Sequence, residues 1–149
     1  MEHYVKQARD QCFDADGWYR TGDIGFYDDD GVVHWLGRRS EMIKTAGASV
    51  SPSEVEVQLQ RLESIKLARV IGVRDDRQGQ IVVLCVELQA GASVTADEIT
   101  SFLRERLSSY KIPKHVVFFE AEEMPMNGSG AKVQDAQLLD AVRQRLGAR

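Results

Sequence analysis

At 149 residues, with 43% hydrophobic and 28% charged side chains, the chain has the length and composition of one soluble globular domain able to bury a core. A formal net charge of −4 and the lack of any long basic run exclude the electrostatic footprint of a nucleic-acid binder. Cys12 and Cys85 belong to no CxxC pair and have no histidine at ligand spacing, and no apolar stretch is long enough to cross a membrane, so a disulfide framework, a zinc site and a membrane span all lack support.

The opening MEHYVKQARD lacks the apolar core of a signal peptide, which predicts a cytoplasmic protein. Residues 1–16 are polar and aperiodic and read as a weakly packed lead-in whose start looks cut. From Gly17 the pattern predicts strands at Trp18–Thr21, Ile24–Tyr27 and Val32–Leu36, the last two joined through an Asp-Gly turn at 28–31 as a hairpin. His34, between Val33 and Trp35, reads as a strand residue and not as a catalyst.

The next stretch, GRRSEMIKTAGASVSPSEVE at 37–56, bends at Gly37 and Gly47 and gathers Arg38, Arg39 and Lys44. That pattern is either an anion-facing loop or a surface loop with solvated cations. Ser51-Pro52-Ser53-Glu54 then predicts a capping box and a helix start, followed by Val55, Leu59 and Leu62 on one face. Leu67–Val73 and Ile81–Leu88 predict two core strands joined through 74–80, with Cys85 as buried packing. A second capping box at Thr95–Glu98 opens a helix carrying Ile99, Phe102, Leu103 and Leu107. His115–Phe119 predicts a further strand, and Leu138, Leu139, Val142 and Leu146 a last helix from about Asp135. The order βαββαβα predicts an α+β fold, a small mixed sheet covered by helices.

The glycine-rich turn in MPMNGSGAKV, 124–133, is not a P-loop, because glycine and lysine are not adjacent and no Ser or Thr follows Lys132. By itself it reads as a flexible connector with a solvated lysine.

Tyr19-Arg20-Thr21-Gly22-Asp23, Gly37-Arg38, Ile43-Lys44, Gly47, Pro52, Glu54-Val55-Glu56 and Tyr110-Lys111-Ile112-Pro113 together resemble, in order and spacing, the motifs of the adenylate-forming superfamily. Acyl-CoA synthetases, firefly luciferase and the adenylation domains of nonribosomal peptide synthetases share them. The resemblance runs from about Phe13 to Leu139. It implies that residues 1–37 are the end of a larger N-terminal domain, lead-in and β-hairpin, and that 38–149 are the C-terminal lid domain. It further implies an ATP-dependent carboxylate CoA ligase, with a fatty or other small organic acid as substrate, ATP (with Mg2+) and coenzyme A as co-substrates, and an N-terminal adenylation domain as partner in cis or in trans.

On this resemblance Asp23, Arg38 and Tyr19 contact the nucleotide, Ser40 is the hinge, and Lys132 is the catalytic lysine of adenylation. Ala46, Gly47 and Ala48 line the path of the pantetheine thiol, although Gly47 also reads as a helix-entry turn needing positive φ. Two positions depart from the family pattern. Ala131 separates Gly130 from Lys132, where glycine is normally followed directly by lysine, and Ser40 stands where Asp or Lys is usual at the hinge. The family's phosphate loop is not in this sequence, so the piece alone is expected to bind none of the co-substrates and to be inactive. The alternative is a free-standing or remnant lid module without catalytic activity of its own.

Overall fold

The structure, a computed structural model, describes residues 8–128, 130 and 132–147; Met1 and Ala131 therefore lie outside the described residues. The chain separates into two compact units, 1–40 and 41–149.

The first unit holds a short helix α1 (Arg9–Cys12) and an antiparallel ribbon of β1 (Asp23–Tyr27) and β2 (Val33–Arg38). The ribbon turns where the Asp-Gly signal predicts. Asp28 Oδ1 accepts the N–H groups of Asp30 and Val32 at 3.1 and 2.8 Å, and Gly31 supplies φ +78°. His34 Nε2 lies 2.6 Å from Asp28 Oδ2, and this hydrogen bond is the main reason the Asp28 carboxyl sits below its ordinary pKa. His34 is thus part of the turn's scaffolding. The strand expected at Trp18–Thr21 reduces to a single bridge, Phe13 to Tyr19.

The second unit contains β3 (Ile43–Thr45), β4 (Ala48–Val50), α2 (Pro52–Leu59), β5 (Ile65–Asp75), β6 (Gly79–Leu88), α3 (Ala96–Arg104), β7 (His115–Phe119) and α4 (Asp135–Leu146). Its five-stranded sheet has the order β4-β3-β6-β5, with β7 parallel to β6 and every other pair antiparallel. The mixed sheet under helices is the fold class the sequence predicts.

Strand alternation sorts the core into two layers. Val70, Val82, Leu84 and Val86 pack with Val55 and Leu59 of α2 and with Ile99 and Leu103 of α3. Ile71, Val73, Ile81, Val83 and Cys85 pack with Val117, Phe119 and with Leu138 and Val142 of α4. Because both faces are covered, β6 carries an unbroken apolar run from Ile81 to Val86. Each side chain of this kind that is fully buried contributes about 1.5–3 kcal/mol. The Cys85 thiol is fully enclosed and burial pushes its pKa up to about 12, so it is packing and not a nucleophile.

The two predicted capping boxes have different outcomes. At α3, Thr95 Oγ1 accepts the Glu98 N–H at 3.2 Å and Glu98 Oε2 accepts the Thr95 N–H at 2.7 Å. At α2, Ser51 is the N-cap and Pro52 the first helical residue, but Ser51 makes no side-chain cap bond; its hydroxyl is hydrogen-bonded to that of Ser53 at 2.8 Å. Glu54 does not reach back either, and instead pairs with Lys111. A long-range cation has displaced the local motif, and it ties the Tyr110–Pro113 segment to α2.

Candidate functional site

Asp23 and Arg38 face each other as a cross-strand pair at the open end of the ribbon, and Arg38 Nε lies 3.0 Å from Asp23 Oδ1. An irregularity sets this register. Ile24 pairs with Gly37 but Gly25 with Trp35, so Leu36 is the extra residue of a bulge that re-aims the end of β2. Two glycines make the bulge possible: Gly37 has φ +140°, and a Cβ on Gly25 would stand 2.6 Å from the His34 carbonyl oxygen. The Asp23 N–H donates to Thr21 Oγ1 at 3.0 Å, and Arg39 N–H to the Gly22 carbonyl at 2.8 Å. The carboxylate is about a third exposed, and among the described residues its Oδ2 accepts no hydrogen bond. An ionised carboxylate with an unoccupied oxygen beside a guanidinium suits a neutral diol next to an anion, as on a ribose phosphate. The Tyr19 ring packs on Phe13, with centroids 5.6 Å apart.

The predicted loop from Gly37 to Gly47 is not a loop. It comprises the end of β2, a 3₁₀ turn at Arg39–Glu41 that contains Ser40, and strand β3. The basic cluster is divided accordingly: Arg38 and Arg39 belong to the first unit and Lys44 to the second, where Lys44 Nζ donates to Ser49 Oγ at 2.5 Å. Ser40 is the last residue of the first unit.

Gly47 sits at the tip of a tight hairpin between β3 and β4, not at a helix entry. Ala46 has φ +47° and Gly47 φ +82°, both positive as a type I′ turn requires. The hairpin is fixed to the β5–β6 turn. Ala46 N–H donates to the Gln78 carbonyl at 2.9 Å, and Lys44 N–H to Gln80 Oε1 at 2.7 Å. Gln78 and Gln80 carry no motif, and no spacing in the sequence marks them. A hollow of about 300 Å³ opens beside Ala46, lined also by Thr45, Gln78, Ser109, Tyr110 and Lys114.

Lys132 closes a second hairpin-like loop. Met126 and Val133 form a bridge; Asn127 N–H donates to the Lys132 carbonyl at 2.7 Å, and Lys132 N–H to Asn127 Oδ1 at 3.1 Å. Gln134 extends this stem, donating its N–H to the Pro125 carbonyl at 2.8 Å and its Nε2 to the Met126 carbonyl at 3.0 Å. Met124 and Val133 anchor the stem in the core. The turn expected to be a flexible connector is thus tied at its base, and Lys132 is exposed at the end of that tie.

One cluster was not foreseen. Arg69 on β5 donates from Nε to Asp135 Oδ1 at 2.8 Å and from Nη2 to Asp135 Oδ2 at 2.7 Å, while its Nη1 reaches both Glu56 oxygens at 3.2 and 3.4 Å. Glu56 also accepts the Val70 N–H at 2.8 Å, covering the open edge of β5. Among the described residues no group of His, Cys, Asp and Glu is arranged to hold a metal, and no helix is long and apolar enough to cross a membrane.

A mixed sheet with helices on both faces, two short hairpin loops on that unit and a preceding ribbon is the architecture of the C-terminal domain of adenylate-forming enzymes. A family model described as AMP-binding enzyme C-terminal domain matches residues 54–131, more than half of the chain, and the chain belongs to that family. Similar proteins include the mitochondrial medium-chain acyl-CoA ligase ACSF2 of Rattus norvegicus, 35% identical over 131 residues, which are 88% of this chain and 21% of that protein. Among solved structures, ATP-bound MatB from Rhodopseudomonas palustris is 32% identical with a TM-score of 0.78, covering 91% of this chain and 26% of its own. The o-succinylbenzoate CoA synthetase MenE of Bacillus subtilis, in complex with its acyl-adenylate intermediate OSB-AMP, is also 32% identical with a TM-score of 0.75, covering 93% of this chain and 27% of its own. The chain spans about a fifth of the length of the curated relatives it matches.

Proposed function

We propose that this chain is the mobile C-terminal part of an ATP-dependent carboxylate CoA ligase and that it serves both half-reactions in turn. In the first, a substrate carboxylate oxygen attacks the α-phosphorus of ATP and pyrophosphate leaves. In the second, a coenzyme A thiol loses its proton to solvent, its sulfur bonds to the acyl carbon, and the bond from that carbon to the phosphate oxygen breaks as AMP leaves. Asp23 accepts hydrogen bonds from the ribose hydroxyls with Arg38 alongside, and Tyr19 completes the nucleotide contacts. Lys132 places positive charge where negative charge builds between the carboxylate and the α-phosphate. The unit then rotates about Ser40, withdrawing Lys132 and presenting Ala46, Gly47 and Ala48, with the hollow beside Ala46, to the pantetheine arm.

What carries this reading is that a single member of the AMP-binding C-terminal family bears both a tied-down exposed lysine and a tight glycine hairpin. The similar proteins are named for a medium-chain acyl group and for o-succinylbenzoate, which supports a carboxylic acid substrate; a fatty acid is our choice within that class. ATP enters with Mg2+ as substrate, and the partner is the adenylation domain that completes the active site. The cytoplasm is our proposed compartment, while the rat relative is named as mitochondrial; a reducing compartment suits Cys12 and Cys85, neither of which is in a disulfide.

The test uses the chain joined to, or mixed with, an adenylation core. Lys132→Ala should slow pyrophosphate release by on the order of 10²–10³ and leave thioester formation from preformed acyl adenylate near its original rate. Equal losses in the two steps would remove Lys132 from its role. If the native chain mixed with a competent core restores neither step, it is a remnant lid.

A further inference from the structure

Lys132 and Asp135 are three residues apart, near enough for the Lys132 charge to help hold the Asp135 carboxyl below its ordinary value, yet among the described residues the two form no ion pair. The carboxylate nearest in sequence is already engaged. Arg69 grips both Asp135 oxygens in a two-pronged contact at 2.8 and 2.7 Å, and Arg69 is itself held from the other side by Glu56, which also takes the Val70 N–H. The three side chains come from β5, α2 and the first residue of α4, so the grip passes across the edge strand of the sheet. Only a fifth of the Arg69 side chain is exposed, and a guanidinium engaged by two carboxylates, one of them through two nitrogens, has little freedom to release either.

We infer that Arg69 is a positioning residue for Lys132: by occupying both oxygens of Asp135 it keeps that carboxylate from pairing with Lys132, so the lysine charge stays available to a substrate anion. The inference rests on the adenylation role proposed for Lys132. Without Arg69, Asp135 would be the closest counter-ion to the Lys132 ammonium on the same short segment. A lysine already paired with a carboxylate offers less attraction to a carboxylate–phosphate transition state. Glu56 does not substitute as a threat to Lys132, because it sits on α2 and is tied to the β5 edge. Its part is to aim Arg69.

Two measurements test this. On the 149-residue chain alone, the Lys132 ammonium is titrated by NMR. Arg69→Met should raise its pKa as Asp135 turns onto it, and adding Asp135→Asn should return it to the native value. With an adenylation core supplied, Arg69→Met should slow adenylate formation on the order of 10- to 100-fold with thioester formation spared. The Arg69→Met, Asp135→Asn double variant should recover most of that loss, and Asp135→Asn alone should stay close to the native rate.

A Lys132 titration that moves with the state of Asp135, and a rate loss confined to adenylation, are not expected of a residue that only holds the fold. An unmoved Lys132 titration in Arg69→Met, or a double variant as slow as Arg69→Met, overturns the inference. If the titration behaves as described but Lys132→Ala leaves adenylation untouched, the functional role of Lys132 fails while the Arg69–Asp135–Lys132 relation stands.

Discussion

Gly47, at the tip of the β3–β4 hairpin, shows how local backbone geometry limits which substitutions can probe thiol attack. Gly47 has φ +82°, and a Cβ built there meets nothing within 4 Å, so in this structure the glycine is required by its backbone and not by crowding. Leucine at this position would carry the left-handed penalty of about 1–2 kcal/mol and disturb the hairpin whatever the thiol does. Asparagine tolerates the same region far better. Gly47→Asn should therefore lower stability by less than about 1 kcal/mol and Gly47→Leu by more, as read from urea unfolding. If the pantetheine arm passes over Gly47, both variants slow thiol attack and spare adenylation. A Gly47→Asn variant with native thioester kinetics would mean that the arm runs elsewhere.

Elements whose stability is local were legible in the sequence, and those settled by distant partners were not. The Asp-Gly ribbon turn, the apolar, β-branched core strands and the Thr95 box were all readable because each is a short-range pattern. Thr95→Ala should cost about 0.5–2 kcal/mol, since it removes an acceptor actually used by the Glu98 N–H; a value near zero would contradict the cap. Ser51-Pro52-Ser53-Glu54 carries the same signature, but Lys111, more than fifty positions away, recruits Glu54, and no window around the helix start contains that fact. The β3–β4 hairpin was missed because its strands have three residues each and its Ala-Gly tip lacks the Asn-Gly or Asp-Gly signal. Asp23 and Arg38 were nameable from motifs, but the Leu36 bulge that pairs them was not.

The Arg69 cluster is the clearest case of distant settlement, with Asp135 66 positions away. It also has a pH signature at the start of α4. The Arg69 hydrogen bonds hold the Asp135 carboxyl below its ordinary value, so its stabilisation is full above the unfolded value of about 3.9 and is lost as pH falls through the folded one. Glu56 works in the opposite sense. Burial raises its carboxyl in spite of Val70 and Arg69, so its contribution is present at low pH and lost as pH rises through the raised value. Asp135→Asn deletes the first effect and weakens the second, since the Asp135 charge helps burial to raise Glu56, and its urea midpoint should fall less steeply than the native one as pH drops below about 4. Parallel pH profiles would show that Asp135 contributes nothing of the kind.

At the scale of the molecule, the two units differ in what holds them. Among the described residues every buried hydrophobic side chain except Cys12 lies in residues 41–149, whereas the first unit exposes Trp18, Tyr27, Val33 and Trp35 by more than half. Two-stranded ribbons without a covered face are marginal in water, while a five-stranded sheet with helices on both faces is not. The two should therefore lose order independently. Both tryptophans, Trp18 and Trp35, are in the first unit, so acrylamide quenching of their emission reports that unit alone, and far-UV circular dichroism is dominated by the sheet and helices of the second. In rising urea the quenching change should come first and be shallow, followed by one cooperative dichroism transition. A chain starting at Glu41 should keep that second transition at the same midpoint, because none of its core is removed. Coincident transitions, or a truncated chain without a cooperative step, would mean that residues 1–40 are part of the folding unit they precede, and a rotation between the two units would then have to break folded structure.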